Sequence, residues 1–279
     1  MGNINLEYIT LKEYTLDNLP LLNRLRQKLL DESAEICIER ADWITRYYKN
    51  GAASEDSIEI RYAKAVNYFL RNKAALFFDD NLLAGSTTSR PFGAPVYPEY
   101  TGLHIWPELD TISTREQNPL KLTKKDAEAL NFDIYPYWME RNILEYTRKK
   151  YNNPKCMRLF ERIVFFLATK TGCISHTVPD YRLALNKGVE YIIESAKSRS
   201  ADIEAKTNLS NEDRQQLAFY QAVQIAMDGV MAYARNLSIE ADKLAEIEND
   251  PVKKANYQEM AKVCARVPAK PARTFSRSH

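Results

Sequence analysis

The sequence predicts a mainly α-helical fold with few strands, on three observations. Apolar residues recur three and four positions apart along most of the 279 residues, the spacing of one helix face. Threonine, serine and aspartate stand ahead of several of those runs, where helix caps belong. A long central stretch, Asp79 to Pro119, breaks the pattern with five prolines and three glycines and keeps Tyr97, Tyr100 and Trp106. Such a stretch is functional or disordered in most proteins, and its aromatic residues argue for order. It is expected to be a long irregular segment packed over something larger.

The elements follow in chain order. "NLPLLNRLRQKLLDE" puts Leu22, Leu25 and Leu29 on one helix face. "ICIERADWITRYYKN" reads as a second helix, stopped by Asn50-Gly51. "SEDSIEIRYAKAVNYFLRN" opens with an acidic turn and carries Ile60, Ala63, Asn67 and Leu70 at helical spacing. After the irregular segment, Thr123 and Asp126 form a capping box for the next helix. "PYWMERNILEYTRKKY" is expected to continue as helix, and another helix is expected from Met157 to Thr169, broken at Gly172. "YRLALNKGVEYIIESAKSRS" is read as one helix. A second capping box, Ser210 and Asp213, starts the longest element. Its stripe is Tyr220, Val223, Met227, Val230, Ala234, Leu237, Ala241 and Leu244, the seam of a packed helix or a coiled coil. "DPVKKANYQEMAKVCARVP" gives a last helix that ends at Pro268.

Composition excludes several classes. Apolar residues make up 45% and charged residues 27%, a globular profile. A net charge of +2 creates no field that draws the whole chain to nucleic acid or to a membrane. No apolar run reaches the ~18 residues of a membrane span. "MGNINLEYITLKEY" lacks the basic start and apolar run of a signal peptide, and Leu6 breaks the myristoylation pattern. Cys37, Cys156, Cys173 and Cys264 are therefore expected as reduced thiols in the cytoplasm.

Cys173 and His176 stand three apart in "TGCISHTVPDY". The pair could be a nucleophile with its base, half a metal site, or a buried thiol beside a histidine satisfied by local backbone. A zinc site needs two further ligands, and His104, His176 and His279 are the only histidines, so no metal is expected. A Cys-His nucleophile needs a third orienting group that the spacing does not supply. No phosphate-binding glycine loop, dinucleotide fingerprint, nucleophile elbow or His-Glu-x-x-His occurs.

Six segments together resemble the N-terminal region of the glycyl radical enzymes, the pyruvate formate-lyase-like lyases and dehydratases. "IERADWITRYYKN" resembles the family's "ERA…T…YK" helix, and "SIEIRYAKAVNYFLRN" its next helix. "FFDDNLLAGSTTSRPFGAPVYPE" resembles the "DELIVG" segment that leads to Tyr-Pro-Glu, here Tyr97-Pro98-Glu99. "TISTREQNPLKLTKKDAEALNFDIYPYWMERN" resembles the stretch that runs to an aromatic-Trp pair. "SHTVPDYRLALNKGVEYI" resembles the "H…PDY…L..G" element, and "VPAKPARTF" the Val-Pro-Ala…Thr-Phe junction. The order and spacing of the six lean toward the lyase and dehydratase branches.

That resemblance implies the helical N-terminal portion of a ten-stranded α/β barrel, over residues 1–275, with 276–279 as a tail outside the family pattern. It implies hydrogen-atom chemistry on a small organic substrate. In that family a separate activating enzyme with S-adenosylmethionine and an iron–sulfur cluster makes a glycine radical, which takes hydrogen from a cysteine thiol, and the resulting thiyl abstracts hydrogen from the substrate. It also implies that His176 contacts substrate by hydrogen-bonding or protonating a leaving group, with Asp180, Tyr181 and Glu99 as further candidates. Trp138, Arg61 and Gly85 read as packing or turn positions.

The sequence departs from the family in two places. No Arg-Val-x-Gly-Tyr glycyl loop occurs. "TGCISH" resembles Gly-Cys-x-Glu only superficially, because it lies in the His-Thr-Val-Pro element, upstream of where the thiyl loop belongs, and Ser175 replaces the glutamate, so the thiyl role is not carried to Cys173. The expectation is a truncated enzyme with no catalytic residue and no bound cofactor of its own, inactive alone. Its expected partners are the missing C-terminal portion or a second chain bearing it, the activating enzyme, a second copy of the chain, and a small organic substrate. The rival expectation is a non-catalytic helical binding or regulatory module derived from such an enzyme. A cysteine hydrolase built on Cys173 and His176 is the third reading.

Overall fold

The computed structural model describes residues 19–51, 55–78, 83–100, 102–151, 155 and 180–273. Among them, ten α-helices and two three-residue strands form two layers that share one helix. The mainly helical expectation holds. The helix expected from Met157 to Thr169, and the Cys173–His176 pair with it, lie outside the described residues.

The first layer is a core around the irregular segment. Strand β1 (Glu35–Cys37) pairs in parallel with β2 (Gly93–Pro95), with Ile36 opposite Ala94. The other edge of β1 takes Lys121, through Ile36 N–H to Lys121 O at 2.9 Å. The run from Ile36 was expected to be helical. Its first residues are β-branched or small and find hydrogen-bonding partners on both sides, so local pairing outweighs helix continuation. Helix α1 (Pro20–Asp31) precedes the strand and buries no residue, and Leu22, Leu29 and Leu30 stay exposed on it.

Helix α2 (Glu39–Lys49) packs Ala41 and Ile44 into this core and ends at Asn50, with Gly51 at φ +105°. From the irregular segment come Val96 and Ile112, buried on a path that includes β2 and a 3₁₀ stretch, Gly102–Glu108. The expected ordered, packed segment is what the structure shows for its described part. Helix α4 (Lys124–Ala129) starts where Thr123 Oγ1 accepts from Asp126 N–H at 3.1 Å. The reciprocal half of the box is not made, because Asp126 turns to Arg90, 3.6 Å away.

A π-turn, Leu130–Ile134, joins α4 to α5 (Tyr135–Trp138). Pro136 has no N–H to donate four residues back and its ring crowds that carbonyl, which a widened turn accommodates. The turn buries Leu130, Ile134, Tyr135 and Trp138 together. Helix was expected to run on through residue 151. It breaks instead at residues 139–142, where Asn142 donates to Trp138 O at 3.0 Å and accepts from Glu145 N–H at 3.1 Å. Helix α6 (Ile143–Tyr151) starts afresh from that cap.

The second layer centres on the longest helix. The run expected as one helix over 181–200 is two, α7 (Tyr181–Lys187) and α8 (Val189–Glu204), parted by Gly188 at φ +81°. Helix α9 (Asn211–Ile247) carries the full Ser210/Asp213 capping box and packs on α8, on α10 (Pro251–Arg266) and on α3 (Ile58–Asn72). Helix α3 joins the layers, giving Ala65 and Phe69 to the first core while Asn67 meets α9.

The expected stripe on α9 is buried at Ala234, Leu237 and Ala241 and half-buried elsewhere. Close contact comes from small residues. A Cβ at Gly229 would stand 2.8 Å from the Cα of Asn67, and buried Ser238 donates to Ala261 O on α10 at 2.9 Å. Small side chains let the helix backbones approach, so α9 is buried on several sides and not along one seam.

Candidate functional site

Glu99, the carboxylate of the Tyr-Pro-Glu motif, lies in a buried polar cluster. Its carboxylate accepts from the Arg40 guanidinium, with side-chain exposures of 14% and 10%. Helix α2 supplies Arg40 and the irregular segment supplies Glu99, whose backbone carbonyl also accepts from Ile143 N–H at 2.9 Å, fixing the start of α6. Arg40 further donates to Tyr62 Oη at 3.1 Å and lies over the Tyr97 ring, 4.0 Å from its centroid.

Burial alone works against the Arg40 charge. The hydrogen bond and attraction of Glu99 overcome it, so the guanidinium sits above its usual value. Burial pushes the Tyr48 hydroxyl up to about 12 and raises that of Tyr62, so both stay protonated donors at neutral pH. Arg40 Nη1, Arg61 Nε and Glu99 Oε2 are buried with no hydrogen-bond partner among the described residues. The cluster is thus a paired charge in an aromatic cage, built to fix α2, α3 and the irregular segment against one another. Tyr-Pro-Glu flagged Glu99, but no spacing signal pointed to Arg40, 59 residues away.

Asp180 and Tyr181 open α7. Asp180 Oδ1 accepts from Arg182 N–H at 3.0 Å, so its carboxylate caps the helix. Tyr181 is 67% exposed, and Leu183 and Leu185 on the same short helix are 44% and 55% exposed. No residue of α7 is buried. His176 lies outside the described residues, so among the sequence candidates Asp180 and Tyr181 are adjacent and Glu99 sits in the separate Arg40 cluster.

A groove of about 650 Å³ runs between α3 and α8 with α9 as its floor. Tyr47, Tyr68, Ile225 and Met231 give it apolar lining, and Lys64, Arg71 and Lys197 bring positive charge. These cations are already engaged: Lys64 with Asp56, Arg71 with Asp228, Lys197 with Glu194. Asn67 also donates to Asp228 at 3.1 Å, and the two hydrogen bonds offset burial to hold that carboxyl below its ordinary value. The groove's charge is spent internally. No set of three His, Cys, Asp or Glu among the described residues could hold a metal ion. Cys37 and Cys264 are buried free thiols, and no described helix is long and apolar enough to cross a membrane.

Comparison with known proteins places this arrangement. Over 268 residues the chain is 26% identical to the isethionate sulfite-lyase of Desulfovibrio desulfuricans, covering 92% of this chain and 31% of that enzyme. It is 25% identical to the trans-4-hydroxy-L-proline dehydratase of Clostridioides difficile, covering 90% and 31%. The crystal structure of a glycyl radical enzyme from Archaeoglobus fulgidus superposes with a TM-score of 0.79 at 28% identity, over 90% of this chain and 31% of that one. The chain thus spans about 31% of the length of the curated relatives it matches. The family model described as pyruvate formate lyase-like matches residues 17–277, and this chain belongs to that family.

Proposed function

We propose that these residues form the N-terminal helical wall of a glycyl radical lyase or dehydratase, an enzyme that breaks a C–C, C–O, C–N or C–S bond in a small organic substrate. One observation carries the reading. Nearly the whole chain corresponds, in fold and in sequence order, to a 31% slice of enzymes whose names state lyase, dehydratase or glycyl radical chemistry. In this reading the ten-stranded barrel, the thiyl cysteine and the radical glycine belong to protein outside these 279 residues, in the same polypeptide or in a second chain. The sequence supports that: it holds no Arg-Val-x-Gly-Tyr, and its one Gly-Cys, Gly172-Cys173, lies in the His-Thr-Val-Pro element, upstream of where the thiyl loop belongs.

The glycyl radical, installed by a separate S-adenosylmethionine-dependent activating enzyme, supplies hydrogen-atom abstraction. This chain's residues bind and shape. His176 is assigned to the substrate's leaving group, with Asp180, Tyr181 and Glu99 as further candidate contacts. Asp180 caps the start of α7, and Glu99, held by Arg40, ties the irregular segment to α2. The exposed Tyr181, Leu183 and Leu185 fit a helix that the rest of the enzyme covers. The assembly works in the cytoplasm.

Electron paramagnetic resonance tests the proposal. Incubated anaerobically with a glycyl radical activating enzyme and S-adenosylmethionine, this chain alone is expected to give no glycyl doublet. A doublet from it would overturn the claim that the radical parts lie elsewhere.

A further inference from the structure

Helix α7 has seven residues and buries none of them. An isolated helix shorter than about 12–15 residues is marginal in water, so α7 must be held from outside. The segment after α10 does this. Val189 N–H donates to Pro268 O at 2.8 Å and Glu190 N–H to Ala269 O at 3.1 Å, so two strap carbonyls satisfy the first amides of α8, which has no side-chain cap. In the other direction, Ala272 N–H donates to Leu185 O at 3.1 Å, satisfying a carbonyl at the end of α7. Lys270 and Glu190 add an ion pair across the junction.

Gly188 makes the contact possible. Its φ of +81° disfavours any side chain, and a Cβ there would stand 2.4 Å from Ala269 O and 2.8 Å from the Lys270 carbonyl carbon.

We infer that residues 268–272 are a latch that caps both helices at the α7–α8 junction, and that Gly188 is the positioning residue that seats it. The latch ties the end of α10 to α7, whose start Asp180 caps. Its consequence for a substrate wall rests on the glycyl radical reading; the latch itself does not.

Hydrogen exchange of this chain, read by amide, tests it. In Gly188→Ala, the amides of Val189, Glu190 and Ala272 should exchange at least about tenfold faster, while those of residues 232–241 on α9 keep their protection. Unchanged exchange at the junction with α9 intact would overturn the latch. Should the substitution also unfold α9, Ala272→Pro decides, since it removes the N–H that donates to Leu185 O and leaves Gly188 in place. Exchange at residues 185–188 should then rise about fivefold or more, and wild-type exchange there would equally overturn the latch. A glycyl doublet from the chain alone would remove the functional reading and leave this result standing.

Discussion

Glu99 and Arg40 neutralise each other in surroundings that hide both side chains. Removing one partner leaves the other charged, buried and uncompensated, a loss that costs about 3–5 kcal/mol where breaking a buried pair has been measured. Glu99→Leu should therefore lower unfolding stability by that order in a denaturant titration. Arg40→Leu/Glu99→Leu should recover much of the loss, because no orphan charge remains. A single-variant loss below about 1 kcal/mol, the range of exposed pairs, would contradict the role given to the cluster. Half of this site could be read from the sequence. Tyr97-Pro98-Glu99 is a local motif, whereas Arg40 and Tyr62 reach it only through the packing of α2 and α3. Asp180 could be read in a different way: an acid ahead of a helical run is a cap by ordinary rules, and the structure shows it capping.

Between α3 and α9 the packing depends on the absence of a side chain. Gly229 faces the Asn67 backbone, where a Cβ would stand at 2.8 Å. In an exposed helix Gly→Ala gains up to about 1 kcal/mol of helix propensity. Here the methyl meets backbone that cannot move without shifting a whole helix, and overpacking of that kind costs about 1–3 kcal/mol. Gly229→Ala should lower the melting temperature; a raised one would show that α3 and α9 have room to spare. Helix starts were legible wherever a cap sits beside its own helix, as at Ser210 and Asp213. The close approach at Gly229 and Ser238 was not, because a search for apolar stripes passes over small residues. The break at Gly188 had a local signal in Lys187-Gly188, a common helix ending that was outweighed by apolar spacing continuing on both sides. The break at Asn142 reflects a side chain that bonds backward to Trp138 O, which spacing does not reveal.

At the scale of the whole molecule, helical character followed from apolar spacing and helix caps, and the family from the order of six segments. The strands did not, since each is three residues long and is set by its neighbours. In the proposed reading, the apolar surface left open is where the rest of the enzyme would pack. Tyr181 and Leu185 share one side of α7 and Leu183 points to the other, so α7 is apolar on both flanks. Leu29 and Leu30 on α1 and Ile247 at the end of α9 are exposed as well. The most direct test of the central claim combines light scattering of the purified chain with anilinonaphthalene sulfonate fluorescence. The account predicts strong dye enhancement and concentration-dependent association, both reduced by Tyr181→Glu/Leu185→Glu. A monodisperse monomer that leaves the dye dark would show a self-sufficient fold and contradict it.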